Sequence, residues 1–397
     1  MGNCEKKKAL AGLKVVDLTS ALSGPFCTMF FGDYGADVIK IEPVDGEQCR
    51  AWGPFYKDGE SGFFAYANRN KKGATLNLKS QKGLQMFYDL VKDADFLCEN
   101  YKGGVTKKLK IDYETIRKIN PRIIYVSGSG FGQDSPMSER PCYDIVAQAM
   151  GGMLNLTGFK ENAPVKVGPS VADHASGIYQ AVGALIALYH REKTGEGQLV
   201  DVSMVDTIFS MLETAIPNYV IDGVISQRNG NVDPSIAPFD VYECKDGYIA
   251  LGVGNDRLWN KFCKVMGKEE LLEDPRFLTN DLRVKNYIPA LQDLIRVWTR
   301  QFTKKELETM MDEAKIPCGP VLNMQEAIEH PHIKARNMMV HCQHPTSGDQ
   351  YFQGVVAKLS ETPGTVDFAA PTLGQHNCEV WGITEEEAAK LHEEGVI

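Results

Sequence analysis

Asp173 is the residue whose type and setting best suit it for covalent chemistry. It follows a stretch of small residues that begins at Val167, and it stands just before a segment with helical spacing. Aspartate is favoured at a helix N-cap, so we expect Asp173 to cap this helix. The helix dipole would also hold the carboxylate ionised. Because a fixed, ionised carboxylate can attack an activated acyl group, the sequence predicts a capping residue that can also serve as a nucleophile.

A basic stretch, residues 69–110, indicates a second kind of chemistry. It contains ten Lys and Arg residues and four acidic ones, a local charge of +6 in a chain of formal charge −9. Such a stretch is consistent with a solvated face, but lysine also binds phosphate groups as a point charge. Within it, Asn100–Gly104 leaves a predicted strand with two glycines, which let backbone N–H groups approach a ligand. The basic residues are Arg69, Lys71, Lys72, Lys79, Lys82, Lys92, Lys102, Lys107, Lys108 and Lys110.

Composition excludes several other classes of protein. The 397 residues are 43% hydrophobic and 24% charged, which is typical of a globular protein with two or three domains. The acidic balance argues against nucleic acid as a partner, and no apolar run is long enough to span a membrane. The residues before Leu10 lack the apolar core of a signal peptide, and the ten cysteines form no CxxC pair. We therefore expect a cytoplasmic protein with reduced thiols.

Metal and dinucleotide sites are not predicted either. His341–His344 is expected to be a surface loop, because no group of His and Cys residues has the spacing of a zinc site. The first βα turn, Ser20–Pro25, lacks the GxGxxG pattern of dinucleotide-binding proteins. We expect no metal and no permanently bound cofactor. A βαβ unit without that pattern can still bind a ligand at the carboxyl edge of its sheet.

The elements that must position these residues alternate between strand and helix over the first 200 residues. This alternation predicts an α/β fold whose large domain is Rossmann-like, with a mostly parallel sheet covered by helices on both faces. The predicted strands are Leu13–Leu18, Asp37–Glu42, Asp95–Cys98, Ile123–Val126 and Leu199–Ser203. The predicted helices follow Pro25 and Ser80 and cover Tyr113–Ile119, Ser176–His190 and Met204 to about Tyr219.

The composition changes near residue 222, which indicates a second domain. Asp222–Pro238 is rich in Gly, Asn and Pro, as a linker would be, and Phe239–Cys244 with Tyr248–Val253 predicts a β-hairpin. Near the end of the chain, Thr384–Glu387 has the pattern of a capping box that opens a last helix. We expect residues 1–224 to form the first part of the large domain, 225–330 a smaller α+β domain, and 331–397 a return segment that completes the large domain.

Seven segments in order resemble class III coenzyme A transferases, the family of formyl-CoA:oxalate and carnitine CoA-transferases. The resemblance runs from about residue 10 to the last helix. Each segment is weak alone, but the ordered set is specific. The segments are Leu10–Asp17, Gly35–Glu42, Asn100–Gly103, Gly128–Gly132, Ala172–Gly177, Lys193–Gly197 and Ile316–Val321.

The resemblance implies a function and a set of site residues. Asp173 matches the family's catalytic aspartate, which attacks an acyl-CoA thioester to give an aspartyl–acyl anhydride before a carboxylic acid takes over the CoA. The expected partners are an acyl-CoA thioester, as substrate, and a small carboxylic acid. Family members are homodimers with interlocked chains, so a homodimer is expected here. The positions that match CoA-contacting stretches are Leu22, Ser23, Leu76, Lys79, Asn100, Tyr101, Lys102, Lys108, Ser129, Gly130, Phe131 and Gly132.

The chain departs from the family pattern at three places. Arg228–Pro234 contains one glycine where formyl-CoA:oxalate transferases carry a glycine run, which favours a carboxylate pair without oxalate. Pro43 replaces an arginine of the family, and Tyr143 stands where related racemases have a histidine. Racemisation needs two opposed bases, so the sequence favours CoA transfer. A CoA-ester racemase or lyase, or a non-catalytic CoA-binding protein, are the alternatives.

Overall fold

The computed structural model describes residues 8–397. The prediction that the chain starts without a signal peptide falls partly on residues 1–7, which lie outside the described part. The chain divides into two compact units. The first comprises the described residues up to Met153 together with Lys166–Pro217 and Pro331–Ile397, and the second comprises Leu154–Val165 and Asn218–His330. The last segment thus belongs to the first unit.

The boundaries of the second unit differ from those we expected. The chain enters this unit at Asn218 rather than at residue 225, and it had already done so once at Leu154–Val165. Arg228 accounts for the second difference. Its guanidinium donates to the carbonyl oxygens of Asn155 at 3.2 Å and Asn162 at 3.3 Å, which ties the earlier segment to the linker. Contacts between residues so far apart in the sequence cannot be predicted from the local composition.

The elements have the following bounds. The strands are β1 (Lys14–Asp17), β2 (Asp37–Glu42), β3 (Lys71–Thr75), β4 (Phe96–Glu99), β5 (Ile124–Ser129), β6 (Leu199–Ser203), β7 (Phe239–Cys244), β8 (Gly247–Gly252), β9 (Cys318–Pro320), β10 (Met339–His344) and β11 (Gly348–Gln353). The helices are α1 (Ser23–Asp33), α2 (Gly62–Asn68), α3 (Gln81–Val91), α4 (Val105–Leu109), α5 (Tyr113–Ile119), α6 (Asp144–Met150), α7 (Met153–Leu156), α8 (Val171–Thr194), α9 (Met204–Ser210), α10 (Ala215–Asp222), α11 (Asp256–Met266), α12 (Asn280–Lys285), α13 (Gln292–Thr299), α14 (Lys304–Ala314), α15 (Met324–Glu329), α16 (Pro331–Ala335), α17 (Asn377–Trp381) and α18 (Glu385–Glu393).

The first unit is built on a six-stranded parallel sheet in the order β3-β2-β1-β4-β5-β6. Successive residues of a strand point to opposite faces of a sheet, and here both faces are buried. Val15 and Phe96 belong to the core on one face, and Val16 and Leu97 to the core on the other. The predicted Rossmann-like α/β fold with helices on both faces is confirmed.

The second unit has a small antiparallel sheet, β7-β8-β9, and helices around a core of its own. Trp259 and Phe262 of α11 are buried in this core together with Tyr242 of β7. The predicted hairpin forms, with β8 beginning one residue earlier than expected. The smaller α+β domain of the prediction is therefore present.

Two predictions about the secondary structure of individual segments were wrong. The long helix expected from Met204 to Tyr219 is broken into α9 and α10, because Pro217 has no N–H and its ring would clash with the carbonyl of Glu213. Glu213 instead adopts a left-handed conformation with a φ of 46°. His341–His344 belongs to strand β10 rather than to a loop, and His341 bonds the carboxylate of Asp349 on β11 at 2.6 Å.

Buried charges surround the end of β1. The Asp17 side chain is fully buried and accepts hydrogen bonds from Lys71 Nζ at 3.0 Å and Thr28 Oγ1 at 2.6 Å. Lys71 Nζ also donates to the carbonyl of Pro25 at 2.9 Å. Burial alone would raise the pKa of Asp17, but Lys71, Lys40 and the neighbouring hydroxyls hold this pKa below its ordinary value. The ionised carboxylate therefore ties β1, α1 and β3 together.

Replacing Lys71 with alanine tests this network. Lys71→Ala leaves Asp17 buried without its nearest cation, so we expect the free energy of unfolding to fall by about 3 kcal/mol. The matched control is Lys92→Ala, which breaks the exposed ion pair with Asp89 and should leave the unfolding midpoint unchanged. Urea denaturation measures both variants. An equal effect of the two substitutions would contradict a structural role for the buried pair.

Candidate active site

The parallel strands bring most of the predicted site residues to one edge of the sheet. Chain order reverses between β1 and β4, which lie side by side, and the crevice beyond the carboxyl ends at such a point is where α/β folds bind ligands. Leu22 and Ser23 follow β1, and Asn100–Lys102 follows β4. The segments Leu76–Lys79 and Gly130–Gly132 follow β3 and β5 at the same edge.

Asn100 joins the two loops that flank the crevice. Its Oδ1 accepts a hydrogen bond from the backbone N–H of Ser20 at 2.8 Å, and its Nδ2 donates to the Ser20 carbonyl at 2.7 Å. On the next residue, Ala21, the N–H donates to Glu47 Oε2 at 2.8 Å, and the φ is 62°. Both ends of the Asn100 amide are occupied by the protein, so this residue shapes the turn before Leu22.

Several predicted contact residues are buried rather than open to solvent. Leu22 and Leu76 are 5% and 2% exposed. The Ser23 hydroxyl lies 2.8 Å from that of Ser176 and accepts from Gln180 at 2.9 Å. Phe131 is also buried. The side chains of these residues are packed or hydrogen-bonded within the protein and are not free polar contacts.

The remaining residues of the set stabilise the loops that carry them. The backbone N–H of Tyr101 donates to Glu99 at 2.8 Å, and the Ser129 hydroxyl accepts from the N–H of Gly132 at 3.0 Å. Gly130 has a steric role, since a Cβ there would lie 2.1 Å from the Cβ of Cys142. Cys142, which the sequence did not single out, is thus in direct contact with the loop after β5.

The basic stretch is less cationic at its surface than its composition suggested. Five of its ten cations form ion pairs: Arg69 with Asp33, Lys71 with Asp17, Lys72 with Asp37 and Glu379, Lys82 with Glu394, and Lys92 with Asp89. The others, Lys79, Lys102, Lys107, Lys108 and Lys110, are exposed, and none of them has an acidic partner within 4 Å among residues 8–397. A phosphate group would therefore find its cations among these five.

Helix α8 carries Asp173 and lies against the start of α1. A Cβ at Gly177 would be 2.7 Å from the carbonyl oxygen of Ser23, so the two backbones approach as closely as a glycine allows. Gly177 and Ser176 follow Asp173 by one helical turn. The first turn of α8 is therefore held over the loop that follows β1.

The prediction that Asp173 is an N-cap was wrong. Helix α8 begins at Val171, so Asp173 is its third residue, and Ser170 at the N-cap position makes no side-chain capping bond. The capping group comes from α6, where Asp144 Oδ1 accepts a hydrogen bond from the N–H of Ala172 at 2.9 Å. The side-chain carboxylate of Asp173 accepts no hydrogen bond from any residue in the range 8–397.

The protonation of Asp173 also differs from the expectation. Burial, followed by the charge of Asp144, raises the pKa of Asp173 to about 7, and Lys166 opposes this shift. Lys166 is only partly available, because its Nζ donates to the carbonyl oxygens of Val167 and Gly168 at 2.7 Å each and lies 3.6 Å from Asp144. Burial and Asp173 raise the pKa of the Cys142 thiol to about 11.

His174 is a further residue that sequence reasoning missed. Its Nδ1 lies 2.7 Å from the carbonyl of Ser170, which can only accept, so Nδ1 carries a proton. Its Nε2 lies 2.9 Å from the Tyr66 hydroxyl, and the ring meets Phe26 edge-on at 4.7 Å between centroids. The imidazole thus fixes the first turn of α8 against α1 and α2.

No metal or membrane site accompanies these features in the described residues. No cluster of three or more His, Cys, Asp or Glu side chains between positions 8 and 397 could hold a metal ion. Over the same residues, no helix is long and apolar enough to cross a membrane. A cavity of about 640 Å³ lies in the second unit, but none of the predicted site residues lines it.

Infrared difference titration tests the protonation of Asp173. The carboxyl band that Asp173→Asn removes should titrate with a midpoint near 7. Asp144→Asn removes a like charge and should lower the midpoint, whereas Lys166→Ala removes an opposite charge and should raise it. A midpoint at the ordinary value of 3.8 would contradict the assignment.

Comparison with known proteins gives a consistent result. The family model of CoA-transferase family III matches residues 10–377. A succinyl-CoA–D-citramalate CoA-transferase of Chloroflexus aurantiacus is 35% identical, with all of both chains covered. An acetyl-CoA:oxalate CoA-transferase of Acetobacter aceti is 40% identical over 88% of each chain. The crystal structure of a CaiB/BaiF family protein from Brucella suis superposes with a TM-score of 0.85 at 34% identity, covering 95% of this chain and 99% of that one.

The resemblance stated from the sequence is thereby confirmed. The matches extend over nearly the whole chain, and curated relatives with this extent of similarity are CoA-transferases. The six-stranded parallel sheet agrees with the fold of the solved relative. The chain belongs to CoA-transferase family III and is a CoA-transferase.

Proposed function

We propose that the protein transfers CoA from an acyl-CoA to a free carboxylic acid through covalent catalysis by Asp173. The observation that carries the proposal is the state of this side chain. It is partly buried at the start of α8, accepts no hydrogen bond from any described residue, and has a raised pKa. Its lone pairs are thus uncommitted, unlike those of Asp17 or Asp144. A raised pKa also makes the ionised form a stronger nucleophile.

The steps balance without water or a net proton. A carboxylate oxygen of Asp173 attacks the thioester carbonyl, the C–S bond breaks, and CoA leaves as the thiolate. The thiolate then attacks the aspartyl carbonyl of the anhydride, which releases the first acid and gives an aspartyl-CoA thioester. The acceptor carboxylate displaces the thiolate to form a second anhydride. Attack of the thiolate on the acceptor carbonyl yields the new acyl-CoA and frees Asp173.

The loops at the sheet edge would bind the CoA portion. Lys79, Lys102 and Lys108 are exposed and without acidic partners among residues 8–397, so they are the proposed cations for its phosphate groups. Asn100 and the backbone after β1 would shape the crevice between them. The buried Leu22, Leu76 and Phe131 would supply apolar walls. The proposed site would thus combine exposed lysines with apolar walls.

The relatives define the acids to be tested as donors and acceptors. Their names include succinyl-CoA with D-citramalate, mesaconate or glutarate, and acetyl-CoA with oxalate. All of the named acceptors are short dicarboxylic acids. We therefore propose a short dicarboxylate as the acceptor and succinyl-CoA as the first donor for assay.

Chemical trapping tests the role of Asp173. Incubation with acyl-CoA followed by borohydride should reduce the activated aspartyl carbonyl, and mass spectrometry should find the modification at Asp173. Asp173→Ala should lower kcat by about a thousandfold or more, since it removes the nucleophile. The matched control is Asp206→Asn, because Asp206 is also the third residue of its helix, α9, but is exposed. Asp206→Asn should keep full activity.

Two results would contradict this mechanism. The first is modification of a residue other than Asp173. The second is an Asp173→Ala variant that retains more than about a tenth of the wild-type activity. A pH profile adds an independent readout. Because the ionised form reacts, kcat/KM should rise with pH and level off above the midpoint near 7.

We also propose that the protein forms a homodimer. One face of α8 is apolar and open in the single chain, with Ile186 and Tyr189 exposed by 65% and 66%. The spacing of its members is that of a helix stripe. Exposed apolar surface of this kind usually marks a protein interface. The members are Ile178, Tyr179, Val182, Leu185, Ile186 and Tyr189. The interlocked arrangement of the family is consistent with such a contact.

Light scattering after size exclusion measures the assembly. The wild type should elute with the mass of two chains, and Ile186→Lys combined with Val182→Lys should give single chains, because each lysine places a charge in the apolar interface. Met324→Lys is the control, since Met324 is 73% exposed on α15 and outside the stripe. A wild type that elutes as single chains at all concentrations would disprove the proposal.

A further inference from the structure

The segment after β3 lies against the last residues of the chain, Gly395–Ile397. Asn77 makes both contacts. Its backbone N–H donates to the carbonyl of Val396 at 2.8 Å, and its side-chain Nδ2 donates to the carbonyl of Gly395 at 3.0 Å. One residue therefore fastens this loop to the tail with a main-chain and a side-chain hydrogen bond.

Asn77 also fixes the conformation of its own loop. Its Oδ1 accepts from the backbone N–H of Lys79 at 3.1 Å, and its carbonyl accepts from the N–H of Ser80 at 3.1 Å. Ser80 then caps α3 by accepting from Gly83 at 2.9 Å. A Cβ at Gly83 would lie 2.3 Å from the Asn77 carbonyl, so the start of α3 is pressed against it. The loop therefore has little freedom to move.

The tail itself is anchored in the core of the first unit. Val396 and Ile397 are 4% and 1% exposed and belong to the same apolar cluster as Leu76. The ring Nδ1 of His392 lies 3.1 Å from the Ile397 carbonyl. The tail cannot shift without exposing apolar side chains, so it is a rigid support for Asn77.

Lys79 is the residue whose backbone this arrangement holds in place. Its side chain is exposed and has no acidic partner within 4 Å in the described part of the chain, while its backbone N–H is held by Asn77. We propose that Asn77, supported by Gly395–Ile397, is a positioning residue that directs Lys79 to a phosphate group of CoA. This inference rests on the CoA site of the proposed function. It adds a requirement that the tail be in place for tight CoA binding.

A double-mutant cycle on Asn77 and Lys79 tests the coupling. Steady-state kinetics are measured with succinyl-CoA and with succinyl-pantetheine, which lacks the phosphate groups. Lys79→Ala and Asn77→Ala should each raise KM for succinyl-CoA by about tenfold with kcat little changed. The double variant should be no worse than Lys79→Ala alone, because Asn77 acts through Lys79. Neither substitution should change KM for succinyl-pantetheine.

Glu394→Gln is the matched control. It removes the exposed ion pair with Lys82 on the same tail but leaves the hydrogen bonds of Asn77 intact. It should leave KM for succinyl-CoA unchanged. If Asn77→Ala lowers the melting temperature strongly, Asn77→Ser replaces it in the cycle, since a shorter hydroxyl can still accept from the N–H of Lys79 but loses the donor to Gly395.

The outcomes separate this inference from the proposed function. Additive increases of KM, or an equal loss with succinyl-pantetheine, would overturn the positioning role of Asn77. An unchanged KM in Lys79→Ala would overturn it too, by removing Lys79 from the CoA site. Trapping at Asp173 would remain a valid test of the transfer mechanism in either case.

Discussion

The buried ion pair between Asp17 and Lys71 is the interaction on which the rest of the first unit depends. A charge without solvent is tolerated only when its partners are held in place, so the pair fixes the positions of the strands and helix that supply those partners. Lys40, fully buried on β2, extends the network by donating to the carbonyl of Thr19 at 2.8 Å and pairing with Glu47 at 2.7 Å. Glu47 in turn bonds the N–H of Ala21. The loop that follows β1 is thus supported by buried charges.

Two aspartates of the first unit have pKa values shifted in opposite directions, because their surroundings differ. Asp17 is fully buried and Asp173 partly buried, and burial works against ionisation in each. Two lysines and two hydroxyls reverse the effect at Asp17, whereas Asp144 adds to it at Asp173. Carboxylates with raised pKa values and no structural hydrogen bonds are typical of functional sites. Asp17 is therefore committed to structural contacts, whereas the carboxylate of Asp173 is available for the covalent role proposed above.

Much of the fold could be predicted because its signals are local. Alternating strand and helix patterns, with Ser80 and Thr384 as caps, depend on residues close in sequence, and both caps are confirmed. Two of the misses depend on distant contacts. Asp144 caps α8 from another helix, and Arg228 recruits Asn155 into the second unit. Pro217 was a local signal that could have been used to end the predicted helix.

The sequence could predict which loops lie at the carboxyl edge of the sheet, but not which of their cations are unpaired. Parallel strands bring the loops after β1, β4 and β5 to one edge of the sheet, whatever side chains those loops carry. Which cations remain free is a different matter, because pairing depends on three-dimensional neighbours. Lys71 and Arg69 look like surface cations in the sequence, but their side chains are fully buried and hydrogen-bonded. The sequence gives the number of charged side chains, whereas the binding of a phosphate group depends on which cations have no acidic partner.

Helix α8 is a single rigid rod of 24 residues, about 36 Å long, with Asp173 in its first turn and the exposed apolar stripe further along. When such a helix moves at one end, its other end moves as well. Ile186 and Tyr189, about four turns from Asp173, therefore lie on the same rigid element as Asp173. In the assembly and mechanism proposed above, a substitution on the apolar stripe that tilts α8 would therefore also change the direction in which the Asp173 carboxylate points.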